Sequence, residues 1–95
     1  MNTDNENPVI SDLPDDITQN TDSELSTAVV TWTEPTATDN SASVTLSSSH
    51  NSGDMFSIGN TTVTYTATNG ASNTVVAMFT VEIEGMIIKP VFVFV

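Results

Sequence analysis

Apolar and polar residues alternate along most of this chain with a period of two, the signature of strands with one face on a core. The pattern is clearest near the end. Val63, Tyr65 and Ala67 alternate with threonines over residues 61–68. After Asn69-Gly70-Ala71-Ser72-Asn73, Val75, Ala77, Phe79, Val81 and Ile83 alternate with Val76, Met78, Thr80, Glu82 and Glu84. Two such runs about a short glycine-containing turn predict a β-hairpin. Earlier, residues 26–34 read as a strand with Ala28, Val30 and Trp32 on one face and Val29, Thr31 and Thr33 on the other. Val44 and Leu46 mark a further strand, and Phe56 and Ile58 a short one closed by Gly59-Asn60. Pro8-Val9-Ile10 suits a first edge strand, because proline is tolerated where no ladder donor is needed. Ile17–Gln19 suits a second short strand. Residues 36–41 read as loop, with Asp39-Asn40-Ser41 as turn chemistry. No stretch keeps helical periodicity.

About seven short strands separated by regular turn signals predict an all-β, two-sheet sandwich. The length of 95 residues allows one such domain with one core. The expected organisation is a flexible segment over residues 1–7, the sandwich over residues 8–85, and a distinct tail over residues 86–95. That tail, Met86 to Val95, has lost the polar face and ends in Val91, Phe92, Val93, Phe94 and Val95.

Charge narrows the function classes. The net charge is −11, with one Lys or Arg in the whole chain. Nucleic-acid binding requires basic side chains that displace counterions from phosphate, so that class is excluded. Anionic membrane surfaces repel the chain for the same reason, and no run approaches the length of a membrane span. The chain has no cysteine, which removes disulfide and thiolate chemistry. The polar, acidic N-terminal residues are unlike a signal peptide, so any secretion signal is expected outside this chain.

Few residues could carry catalysis. Ser49 and His50 are adjacent in a polar loop, but a triad also needs an orienting carboxylate, and no Gly-x-Ser-x-Gly elbow is present. The expectation is no enzyme activity. Asp15, Asp16, Asp39 and Asn40 carry hard oxygen donors in loops that a sandwich could gather at one end. They are the candidate metal ligands, and calcium is the only cofactor they suggest. Turn formation and solvation account for them equally well. Trp32 and Tyr65 read as core aromatics. Asn60-Thr61-Thr62 is a glycosylation sequon at a turn, making Asn60 the candidate acceptor.

Several stretches together resemble the hyalin repeat, or HYR domain, of the immunoglobulin-like superfamily. They are Val29-Val30-Thr31-Trp32-Thr33-Glu34-Pro35-Thr36-Ala37-Thr38-Asp39-Asn40-Ser41 and Phe56-Ser57-Ile58-Gly59-Asn60-Thr61-Thr62-Val63-Thr64-Tyr65-Thr66-Ala67-Thr68. The opening Asn7-Pro8-Val9-Ile10 and the closing Phe79-Thr80-Val81-Glu82-Ile83 are similar to the family's ends. The resemblance covers roughly residues 7–84. It implies an immunoglobulin-like fold and an extracellular or cell-surface adhesion or matrix setting, commonly in tandem arrays. The family's usual cysteine pair falls at Leu13 and Ala77, so two apolar residues would refill the space of a buried disulfide.

The tail bears on partners. An exposed Val/Phe run is an aggregation hazard unless covered. Pro8-Val9-Ile10 recurs in kind as Pro90-Val91-Phe92, where a following repeat would begin. The leading expectation is therefore a non-catalytic structural module. It would self-associate head to tail, with Val91–Val95 as an added strand on a neighbouring copy. Packing of the tail on its own domain, or a truncated neighbour, remains open at this point. The alternative is a calcium- or ligand-binding accessory domain of a larger secreted protein.

Overall fold

The computed structural model describes residues 6–40 and 43–85. Eight strands and no helix occur among them. They are β1 (Val9–Ser11), β2 (Ile17–Asn20), β3 (Thr27–Val29), β4 (Thr36–Thr38), β5 (Val44–Ser48), β6 (Met55–Ser57), β7 (Gly59–Asn69) and β8 (Thr74–Glu84).

One layer is a four-stranded sheet in the order β2-β8-β7-β5. The β7–β8 hairpin is its spine, antiparallel over ten register pairs from Gly59↔Ile83 to Thr68↔Thr74. β5 pairs antiparallel with β7, and β2 pairs parallel with β8. The other layer consists of two ribbons, β1 with β4 and β3 with β6, both antiparallel. The period-2 rule positions the core. Val63, Tyr65, Phe79, Val81 and Ile83 face inward from the hairpin and meet Ala28, Val30 and Phe56 from the ribbon side. Ile10, Leu13, Ile17, Trp32 and Leu46 pack around this cluster as half-buried residues.

Three local expectations are corrected. The strand expected over residues 26–34 keeps ladder geometry only at Thr27–Val29. Beyond that its partner changes. Val30 N–H donates to Asp54 O at 3.1 Å, Val30 O accepts from Gly53 N–H at 2.7 Å, and Trp32 N–H donates to Ser52 Oγ at 2.8 Å. The loop at residues 51–54 thus replaces a strand as partner, and Gly53, at φ +96°, supplies its left-handed residue. Thr36–Thr38, expected as loop, form β4 against β1, with Ala37 opposite Ile10. A three-residue strand is too short for alternation to reveal it beside a strong turn signal. Gly59-Asn60, expected to close a strand, instead open β7. Gly59 has φ +117°, so the chain passes from β6 to β7 across Ile58 alone. Ile58 is consequently exposed rather than buried beside Phe56.

Glu6 lies in the segment expected to be flexible. Its carbonyl accepts the side-chain amides of Asn69 and Asn73 at 3.0 and 3.2 Å. The tail expected to form an additional strand, including Val91–Val95, lies outside the described residues.

Candidate linkage and binding surfaces

The two ends of the described domain sit at opposite poles. Glu6 is held by Asn69 and Asn73, immediately before β8 begins at Thr74. Gly85 follows the last residue of β8. An eleven-residue strand places these poles about 33 Å apart at ~3.3 Å per residue.

The first pole is organised by Asn69, the one buried polar side chain among the described residues, at 5% exposure. Its Nδ2 donates to Glu6 O at 3.0 Å and to Asp39 Oδ1 at 3.2 Å. Its Oδ1 accepts Ala71 N–H and Asn73 N–H, both at 3.0 Å. One amide therefore closes the β7–β8 turn and fastens it to the chain's entry and to the end of β4. The sequence identifies Asn69 only as a turn residue. Its burial follows from its place on the inward register of β7, two residues after Ala67. Replacing Asn69 with Ala should cost about 1–3 kcal/mol, because several hydrogen bonds made by one buried side chain are lost at once. Asn69→Asp should not rescue it, since a carboxylate cannot donate to Glu6 O and sets a like charge against Asp39. Urea denaturation of the three proteins checks this.

A second polar cluster ties the layers together beside the aromatic core. Trp32 Nε1–H donates to Tyr65 Oη at 2.8 Å, and the Tyr65 hydroxyl donates to Glu34 Oε2. Glu34 Oε1 accepts Ser52 N–H at 3.2 Å. Trp32 meets Phe56 and Phe79 edge-on, with centroids 6.0 and 5.2 Å apart, and Tyr65 stacks on Phe79 at 6.4 Å. Both aromatics are thus used inside the domain. Glu34 is a participant that alternation alone does not reveal, since it lies in the irregular segment after β3.

Burial first, and then the bond to Glu34, raise the Tyr65 pKa above the ordinary tyrosine value. The folded protein therefore keeps this proton at a pH where the unfolded chain has lost it. That contribution is fully present below about pH 10 and disappears as pH rises through the folded value. Wild type should lose stability along an alkaline limb that Tyr65→Phe lacks. At neutral pH the variant should be about 1–2 kcal/mol less stable. Denaturation midpoints between neutral and strongly alkaline pH test both statements.

The acidic candidates separate. Asp16 Oδ1 accepts Thr80 N–H at 2.8 Å beside the start of β2, whereas Asp39 is bonded to Asn69. Thr80 lies six residues along β8 from Thr74, or about 20 Å. Asp15 and Asn40 are exposed near Asp16 and Asp39 respectively. The structure therefore does not bring Asp15 and Asp16 to Asp39 and Asn40. Among the described residues, no group of three or more His, Asp or Glu side chains could hold a metal ion.

Ser49 and His50 do come together, with Oγ and Nδ1 2.8 Å apart. Ser49 Oγ also accepts Thr64 N–H at 2.9 Å, and Ser49 N–H donates to Thr64 O at 2.9 Å. The hydroxyl thus extends the β5–β7 ladder, while the His50 ring lies against Phe56 at 5.3 Å. Asn60 is exposed at the start of β7, opposite Glu82. No helix among the described residues is long and apolar enough to cross a membrane.

Two antiparallel-rich layers closed over an inward-facing hairpin, with a tyrosine in the middle of the penultimate strand bonded to an upstream residue, define an immunoglobulin-like sandwich module. A family model described as HYR domain matches residues 3–83. The chain belongs to the HYR domain family. Hyalin from Lytechinus variegatus is 39% identical over 77 residues, which is 80% of this chain and 14% of that protein. The chain thus spans about one-seventh of its relative. No solved structure gives a significant match. Family and fold together describe an extracellular, adhesion-related type of module.

At the family's cysteine positions, Leu13 packs half-buried against the core cluster. Ala77 is half-buried on the inward register of β8, opposite Tyr65.

Proposed function

We propose that this chain is a non-catalytic linking module that joins like modules end to end in an extracellular adhesive or structural assembly. The observation that carries the reading is the placement of Glu6 and Gly85 at opposite poles of β8. A module entered at one pole and left at the other adds its own length to a series and leaves both layer faces free. A connection between unlike poles is heterologous and does not close on itself, so it propagates. The acid excess keeps separate copies apart in dilute solution and weakens as salt screens it.

The docking element in this reading is the apolar run Val91, Phe92, Val93, Phe94 and Val95, added as a strand to a neighbouring copy. Main-chain bonds would supply affinity, and alternate side chains would supply register. The test is sedimentation of the full chain beside Val93→Asp over a wide concentration range. The wild type should grow with concentration and with added salt, and the variant should stay monomeric. A wild type that remains monomeric throughout would remove the self-association reading. Growth undiminished by Val93→Asp would remove the tail as its element.

A further inference from the structure

A module linked by its two poles transmits tension, and the way its strands pair decides whether it resists or opens. Resting on the linking role above, we propose that the parallel β2–β8 ladder is a mechanical clamp that holds the domain closed under end-to-end load.

The chain enters at the pole of Asn69. β1 then runs away from that pole, because Val9 lies opposite Thr38 and Ser11 opposite Thr36, while β4 runs toward Asp39. β2 continues toward the far pole alongside the end of β8, in register from Ile17↔Val81 to Asn20↔Glu84. Tension at the entry draws β2 back toward the first pole. Tension at the exit draws β8 the opposite way. The two strands must therefore slide past each other along their lengths. In that geometry the bonds between them carry the load together, whereas bonds at an opening end would break one at a time.

The ladder is reinforced at both ends and across the layers. Asp16 Oδ1 takes Thr80 N–H at 2.8 Å before the first register pair, and Thr21 N–H donates to Glu84 O at 3.0 Å after the last. Thr18 Oγ1 reaches Glu82 Oε1 at 3.4 Å on the outer face. On the inner side, Gln19 Nε2 donates to Val29 O at 3.0 Å, which pins β2 to β3 in the opposite layer. Ile17 packs into the core. This assigns Asp16 a role in strand anchoring, and it explains why a short edge strand carries bonds well beyond its four register pairs.

Because the chain has no cysteine, two introduced thiols are unique attachment points for single-molecule pulling. The pair Asn7→Cys with Glu84→Cys loads the ladder in sliding. The pair Asn20→Cys with Glu84→Cys grips register partners at one end and opens the same ladder like a zipper. At equal loading rate the first geometry should rupture at several-fold higher force. Adding Asp16→Ala should lower the rupture force in the first geometry and leave the second nearly unchanged, since unzipping starts at the other end. Equal forces in the two geometries, or a sliding force unaffected by Asp16→Ala, would overturn the clamp. Denaturant midpoints of both cysteine pairs, measured in parallel, separate mechanical direction from stability. Each molecule is pulled alone, so a failure of self-association would leave this result standing. Equal forces would sink the clamp without touching the assembly.

Discussion

Phe79→Ala should destabilise the domain by about 3–5 kcal/mol. Phe79 is 3% exposed and lies mid-strand on β8 opposite Val63. Its ring is the shared neighbour of Trp32 and Tyr65. Removing it leaves a cavity where the two layers meet, and takes away the surface that orients Trp32 toward the Tyr65 hydroxyl. A domain of this size holds roughly 5–15 kcal/mol in total, and here no disulfide limits the unfolded chain. The variant should therefore be partly unfolded near physiological temperature. Phe79→Leu, which keeps most of the volume, should cost closer to 1.5 kcal/mol. Trp32 is the only tryptophan, so its fluorescence during urea denaturation reports the site directly. An unchanged m-value would show that the loss lies in packing.

The opposite change should be nearly as large. Leu13→Cys with Ala77→Cys places cysteines where the family's pair falls. The bond would close a loop of about 65 residues, for which chain-entropy arguments give up to ~4 kcal/mol. Two half-buried apolar side chains are lost, which offsets part of this, so a net gain of about 2–3 kcal/mol is expected. The denaturation midpoint should rise under oxidising conditions and fall below wild type on reduction. No difference between oxidised and reduced forms would mean that Leu13 and Ala77 do not face each other.

Much of the fold is legible in the sequence where the physics is local. β7 and β8 are long, one face of each is buried, and their turn is rich in asparagine and glycine. Alternation therefore identifies both strands, their inward residues and their pairing. β4 is not legible, because its three residues are stabilised by β1, a distant partner. The shortening of β3 is hidden for a related reason. Val30 and Trp32 keep their inward faces, yet their backbone bonds go to residues 51–54, and no pattern within residues 26–34 reports that exchange.

The surfaces divide in the same way. Composition bears on whole partner classes because charge is summed over the chain regardless of fold. The resemblance places Leu13 and Ala77, and both lie on the core side as half-buried residues. Loop carboxylates are different. Asp16 and Asp39 look alike in sequence, but one is bound by Thr80 and the other by Asn69, at positions set by β2 and β4. Asn69 and Glu34 show the converse. Each joins segments more than thirty residues apart, so their importance exists only once the layers have met.

Electron microscopy of a fresh, concentrated preparation of the full chain tests the linking role most directly. Strings of globular units should appear, spaced by about the length of β8, roughly 33 Å or slightly more. Single, separate domains at every concentration would contradict it.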